Sequence, residues 1–203
     1  MSNIYRRDFL KGLTLTSAAL FLPGVFVLGR EDSPSKINHL IGLGTASYQV
    51  FLTLQGRAGI HKMTVLDTEI PEEESLKIEL YPLNDQDMQK DSLIAIFDDL
   101  FNADDNFFIV AGLRGRTGNA LFVSLAEWMQ AHHKDHRLTA ILPFHFEGQQ
   151  AMLRCNEALS KVSHQDNLSI IELENFRKQY GNLPLQSAIE KAHMEVLKLW
   201  DIG

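Results

Sequence analysis

Short apolar runs alternate with helix-period segments from residue 37 onward, and successive runs lie too far apart to be joined as hairpins. His39-Leu40-Ile41-Gly42-Leu43-Gly44 predicts a buried strand running into a glycine turn. Residues 63–66 predict a second strand, and 76–80 alternate with period two, as a half-exposed strand does. Residues 107–111 are wholly apolar and predict a central strand; 138–142, stopped by Pro143, and 168–173 predict two more. Between them, Tyr48, Val50, Phe51 and Leu54 share a helical face, and helical spacing returns over 93–101, 121–129, 147–162 and 185–200. Parallel strands require crossover helices, so the pattern implies an α/β fold: an open, mostly parallel, Rossmann-like sheet with helices on both faces. Such sheets bind ligands beyond the carboxyl ends of their strands, here after Leu43, Leu66, Ala111, Leu142 and Leu173.

A formal net charge of −7 argues against a nucleic-acid partner, because nothing offsets phosphate repulsion. The charge is uneven: residues 1–36 hold five Lys/Arg against three Asp/Glu, leaving 14 basic and 23 acidic residues in the remainder. The single cysteine, Cys155, forms no internal disulfide and falls in an amphipathic helical stretch, where a small core residue is expected. His132, His133 and His136 cluster near a helix end, a place that suits partial positive charge without any metal. No metal site is expected. The acidic run Glu72-Glu73-Glu74 suits a solvated helix start or loop.

The basic head has a pattern of its own. Tyr5-Arg6-Arg7-Asp8-Phe9-Leu10-Lys11 resembles the twin-arginine export motif, with Tyr5 where Ser or Thr is usual. The apolar stretch 13–28 that follows is shorter than the ~20 residues of a spanning helix and suits the apolar region of a signal. No Ala-x-Ala triplet closes it, so the segment is expected to remain as an anchor. Residues 1–30 thus predict a targeting or anchoring segment, 31–36 a polar linker, and 37–203 the folded domain. The expected location is export by the twin-arginine route or tethering to a bacterial inner membrane, with the cytoplasmic face left open.

The loops after the strands carry a more specific pattern. Phe108-Ile109-Val110-Ala111-Gly112-Leu113-Arg114-Gly115-Arg116-Thr117-Gly118-Asn119-Ala120 resembles the FtsZ/tubulin signature, an apolar strand followed by Gly-Gly-Gly-Thr-Gly-Thr/Ser-Gly. Pro143-Phe144-His145-Phe146-Glu147-Gly148 is similar to the Pro-Phe-x-Phe-Glu-Gly of FtsZ. Upstream, Ile41-Gly42-Leu43-Gly44 resembles that family's first strand and phosphate turn, and Asp67-Thr68-Glu69 its Asn-Thr-Asp. The resemblance spans roughly residues 37–200.

It implies a guanosine nucleotide cleft built from Gly42, Gly44, Thr45, Arg114, Gly115, Arg116, Thr117, Gly118 and Asn119, with Glu147 at the ribose and His193 at the base. In the family, glycines let backbone N–H groups approach phosphate at a helix N-terminus. Here Arg114 and Arg116 replace two of those glycines and Ala120 the last. Two uses of the arginines stay open: charge-assisted bonds to phosphate, or occupation of the phosphate space with bonds to protein carbonyls, which is the favoured reading. Side chains in Thr45-Ala46-Ser47-Tyr48-Gln49 are expected to hinder backbone approach at the first turn. The family's glycine-rich loop after the third strand is replaced by Tyr81-Pro82-Leu83-Asn84-Asp85, with Asp85 and Asp87 repelling phosphate. Ile189 and His193 stand where the family stacks and reads guanine. Glu147 also suits a helix N-terminus on structural grounds alone. The residues that complete a neighbour's active site in the family lie in a loop and second domain beyond the part matched here, so hydrolysis by that mechanism is not expected.

Three functions follow in order of preference. The first is a pseudo-GTPase serving as a membrane-associated or exported binding or assembly module, with a protein partner or self-association and no cofactor. The second is a GTP/GDP-binding protein that uses Arg114 and Arg116 for phosphate. The third is an unrelated small-molecule enzyme reusing the crevice, for which no nucleophile–base pair is evident.

Overall fold

A computed structural model describes residues 38–55, 59–69, 77–103, 105–180 and 185–200. The targeting segment 1–30, the linker 31–36 and the glutamate run 72–74 lie outside the described residues. Among the described residues no helix is long and apolar enough to cross a membrane.

Six strands form one sheet: β1 (Asn38–Leu43), β2 (Lys62–Asp67), β3 (Glu79–Pro82), β4 (Asn106–Gly112), β5 (His136–Leu142) and β6 (Leu168–Glu172). Their order is β3-β2-β1-β4-β5-β6, and every neighbouring pair is parallel. The helices are α1 (Thr45–Leu54), α2 (Lys90–Leu100), α3 (Arg116–Ala131), α4 (Gln149–Val162), α5 (Leu173–Tyr180) and α6 (Leu185–Trp200), with a 3₁₀ turn at His145–Glu147. The order reverses between β1 and β4, so the chain leaves these adjacent strands toward opposite sides and opens a crevice at their carboxyl ends.

Alternation along the strands divides the core into two layers. Ile41, Leu43, Leu66, Phe107, Ile109, Ala111, Leu138 and Ala140 pack against α2, α3 and α4. Leu40, Met63, Val65, Phe108, Val110, Ile141 and Ile171 pack against α1 and α6. Phe97, Phe101, Phe107 and Trp128 form a ring cluster in the first layer, with centroids 5.9–6.4 Å apart. In the second, Trp200 lies 5.5 Å from Phe108 and donates its indole N–H to Thr139 Oγ1 at 2.8 Å. Gly42 faces α1 because there is no room for more: a Cβ there would stand 2.6 Å from Ser47 Oγ and 2.8 Å from its Cβ. This seats α1 directly on β1.

Several sequence expectations shift at their edges. β3 begins at Glu79 rather than at residue 76 and is an edge strand, half-exposed as its alternation implied. Leu173 opens α5 instead of extending β6, and that short helix has no counterpart in the periodicity reading. Its mean character is polar, so no continuous apolar stripe announces it. Cys155 is buried in the core, and burial pushes its thiol pKa up, as suits an inert packing residue. The histidine cluster disperses: His132 stacks on Trp128 at 4.3 Å, while His136 faces Lys134 O and Gln165 Oε1. No group of three or more potential metal ligands occurs among the described residues.

Candidate functional site

Two helices point their N-termini into the crevice. Gly44 ends β1 with φ +80°, a conformation that favours glycine, and α1 begins at the next residue. Its N–H donates to Leu66 O at 2.9 Å, tying the turn to β2. α3 begins at Arg116 after the loop Leu113–Gly115. The loop is fixed at both ends: Leu113 N–H donates to Ile141 O at 2.9 Å, and Asn119 Nδ2 donates to Leu113 O at 3.1 Å and Gly115 O at 2.7 Å. Asn119 therefore holds the loop in shape and is turned away from the crevice's ligand space. Neither α1 nor α3 has a side-chain N-cap. Their first amides lack intrahelical acceptors and present partial positive charge to the crevice.

Gly118 has no room for a side chain, since a Cβ would stand 2.7 Å from Gly112 O. Gly112 is equally confined, 2.7 Å from the Ala46 Cβ by the same construction. Gly115 differs: nothing lies within 4 Å of a Cβ there, so close packing does not require a glycine.

The cleft has two halves. A hollow of about 490 Å³ is lined by Gly44, Thr45, Thr68, Glu69, Arg116 and Thr117 among others. Beside it lies a more apolar cavity of about 570 Å³ walled by Ile141, Pro143, Phe144, Phe146, Ile189 and His193. Ala46, Gln49, Gly112 and Arg114 belong to both halves. The first is where the resemblance expects phosphates, the second where it expects the nucleoside.

The arginines do not take the position favoured from sequence. Arg114 is exposed and its Nε lies 2.7 Å from Glu147 Oε2, a charge contact and not an aligned hydrogen bond. Arg116 is exposed and makes no hydrogen bond or ion pair among the described residues. Among the described residues neither bonds a protein carbonyl, and both line the hollow. The side chains of the first turn also leave the space open. Ser47 turns inward to donate to Gly44 O at 2.5 Å, Tyr48 is buried, and Thr45 Oγ1 donates to Asp67 Oδ2 at 2.7 Å. Asp67 Oδ1 accepts the Thr68 N–H at 2.7 Å, and Thr68 Oγ1 lies 3.2 Å from Thr117 Oγ1, closing the floor between β2 and α3.

Glu147 is built into its turn. Oε1 accepts the Phe144 N–H at 3.0 Å, and the Glu147 N–H donates to Phe144 O at 3.0 Å. Gly148, at φ +101°, then starts α4. Phe146 stacks on Phe144 with centroids 5.0 Å apart and remains largely exposed at the cavity wall. His193 is buried with its Nδ1 unpartnered, and burial lowers its pKa, which keeps the ring neutral. Leu173, one of the expected strand ends, lies in this wall, and Glu174 behind it has no signal in the sequence. Glu174 is buried and paired with Arg177; the hydrogen bond from Arg177 foremost, with help from the His145 backbone, holds its carboxyl pKa down. The pairing lies within α5, while the His145 backbone that also favours the Glu174 carboxylate comes from more than 25 residues earlier, a distance at which local patterns say nothing.

The loop from β3 to α2 stays out of the cleft. Asn84 Oδ1 accepts the N–H groups of Gln86 at 2.8 Å and Asp87 at 3.2 Å, and Asp87 Oδ2 accepts the Asn84 N–H at 2.8 Å. The Asn84, Gln86 and Asp87 amides are thus turned onto side chains of the loop itself, and none of residues 83–89 lines either half.

No protein-family model matches this sequence, and no curated protein matches it. Solved structures do. The FtsZ dimer of M. jannaschii superposes with a TM-score of 0.65 at 22% identity, over 82% of this chain and 53% of that one. The GTPgS-bound CetZ2 protofilament of Haloferax volcanii gives 0.61 at 18%, over 80% and 56%. TubZ of Clostridium botulinum phage c-st gives 0.56 at 14%, over 76% and 56%. The chain spans about half the length of these structures. With its strand order and crevice, this chain has the fold of the FtsZ/tubulin nucleotide-binding domain.

Proposed function

We propose that this chain is a pseudo-GTPase: a tubulin-type nucleotide-binding domain that does not hydrolyse GTP and serves as a membrane-associated or exported binding or assembly module. The observation that carries the reading is the β3–α2 loop, which lies outside the cleft and spends its Asn84, Gln86 and Asp87 amides on the side chains of Asn84 and Asp87. Because the loop does not line the hollow, it brings no backbone donors to a terminal phosphate there, and phosphoryl transfer depends on such donors to stabilise developing charge. The base end supports the same conclusion. Ile189 and a neutral, buried His193 replace the aromatic and amide groups that the resemblance assigns to guanine, and loss of a polar reader removes selectivity.

A second reading has its own support. The hollow of about 490 Å³ is open, two uncapped helix N-termini face it, and Arg114 and Arg116 stand exposed at its lip. These suit GDP or GTP binding without turnover. Calorimetric titration of the protein with GDP and GTP separates the two. Micromolar affinity for both supports nucleotide binding; absence of heat at high protein concentration leaves the module role alone.

Assembly partners are proposed on similar grounds. The CetZ2 structure is a protofilament and the PhuZ201 structure a filament, at TM-scores of 0.61 and 0.54, which favours self-association. Sedimentation velocity over a concentration series tests this, and a concentration-independent monomer opposes it. Residues 1–30 are proposed to direct the chain to the twin-arginine route or to hold it at the inner membrane. A reporter fused behind residues 1–36 should lose its location when Arg6 and Arg7 both become lysine; unchanged location rejects the targeting role.

A further inference from the structure

The Arg114–Glu147 contact sits where the two halves of the cleft meet. Arg114 lines both, and Glu147 lines the apolar one. The partners are unequal. Glu147 is 12% exposed and anchored through Oε1 to the Phe144 N–H, whereas the Arg114 side chain is 76% exposed and tied only through Nε. The carboxylate is the fixed element and the guanidinium the movable one. A guanidinium offers five donors, and a single off-axis contact leaves most of them unused. Around the hollow, Arg116 has no partner among the described residues, and Arg154 donates to the Arg114 carbonyl at 3.4 Å, which adds positive charge beside it. The acids facing the same space are Asp67, already bonded to Thr45 and to the Thr68 N–H, and the exposed Glu69.

We infer that Arg114 is a two-position latch: closed on Glu147 while the hollow is empty, and swung onto an oxyanion of the diphosphate class when one enters. This rests on the reading that the cleft takes a nucleotide's anionic portion, and it adds a coupling. Entry of the anion frees Glu147 Oε2 to accept a hydroxyl from a group in the apolar half, so the two halves fill together. The closed pair conversely taxes an anion that arrives alone, because Arg114 must first leave Glu147.

A double-mutant cycle on the full chain tests this, with inorganic diphosphate as the probe in calorimetry. Diphosphate carries no hydroxyl-bearing group, so it reports the tax alone. Glu147→Gln keeps the acceptor for the Phe144 N–H and removes the charge that holds Arg114. It should tighten diphosphate binding about two- to fivefold, the scale of an exposed ion pair. In an Arg114→Gln background the same change should have no effect within error. An equal gain in both backgrounds would mean that Glu147 acts only by repelling the anion, and would overturn the latch. Equal binding by all four proteins overturns it while leaving nucleotide binding intact. No binding by any of them overturns both. Cooperative thermal melts of each variant establish that it folds, and Arg114→Ala repeats the cycle with a second truncation.

Discussion

Gly44 and Gly118 lie against each other: a Cβ built on Gly44 would stand 3.4 Å from the Gly118 Cα. This contact brings the N-termini of α1 and α3 together at the point where strand order reverses. A side chain at Gly44 is disfavoured by its φ of +80°, and one at Gly118 would meet Gly112 O at 2.7 Å. The cleft thus depends on two glycines from different loops, 74 positions apart in sequence.

Gly118→Ala should destabilise the domain by about 1–3 kcal/mol, the usual cost of overpacking. The new methyl would stand 2.7 Å from Gly112 O, which outweighs alanine's helix preference of about 1 kcal/mol. Gly115→Ala should change stability by less than about 0.5 kcal/mol, since its surroundings are open, its φ is −89°, and a weaker N-cap is offset by a less flexible unfolded chain. Urea midpoints of the two variants check the contrast. Equal losses would mean that the loop is packed differently.

Thr139→Val removes the acceptor of the Trp200 indole N–H in the layer that seats α6. A buried donor left unsatisfied costs about 1–3 kcal/mol. Thermal denaturation should show this loss together with changed tryptophan fluorescence. A neutral result would indicate that Trp200 finds another acceptor.

His39 predicts a pH dependence. It is buried among Phe101 and Phe107, and its Nε2–H donates to Thr64 Oγ1 at 2.9 Å, whose hydroxyl donates onward to Glu79 at 3.1 Å. Asp105 Oδ2 lies 3.8 Å from Nδ1, and Lys62 pairs with Glu79 at 3.2 Å. Burial first, and Lys62 second, push the imidazole pKa down to about 3. The unfolded chain therefore binds this proton near pH 6.5 while the folded chain refuses it until about pH 3. The sign follows: stability is full above pH 6.5 and falls as pH drops toward 3, by about 2 kcal/mol between pH 7.5 and 5 from this group. Urea midpoints at the two pH values should converge in His39→Gln relative to the parent. An unchanged pH dependence in that variant contradicts the assignment.

Asn119→Ala should loosen the loop before α3, because one amide holds both Leu113 O and Gly115 O. About 1–2 kcal/mol of stability should be lost, with faster hydrogen exchange confined to residues 113–118. Uniform exchange across the sheet would instead indicate global unfolding.

The fold was legible because its signals are local. Residues 107–111 have no polar position, so they mark a strand covered on both faces, and Pro143 and Gly112 mark the strand ends that build the cleft. The glycines at 44 and 118 were legible as backbone requirements. What was not legible depends on direction and distance. Arg114 and Arg116 could be placed in the loop, yet nothing in the sequence says that one pairs with Glu147, 33 positions later, and the other stands free at the lip. Asn119 falls inside the phosphate signature, but its amide turns back to the loop. α5 went unseen because its buried residues are few and include Glu174, a charge that only Arg177 and the His145 turn make tolerable.

Phosphate release from GTP, followed with the purified full-length protein over a range of concentrations that permits self-association, tests the account most directly. The account predicts release no faster than in protein-free buffer at every concentration, because the β3–α2 loop stays out of the cleft and turns its Asn84, Gln86 and Asp87 amides onto its own side chains. Protein-dependent release that rises with concentration and disappears in Gly118→Ala would contradict it.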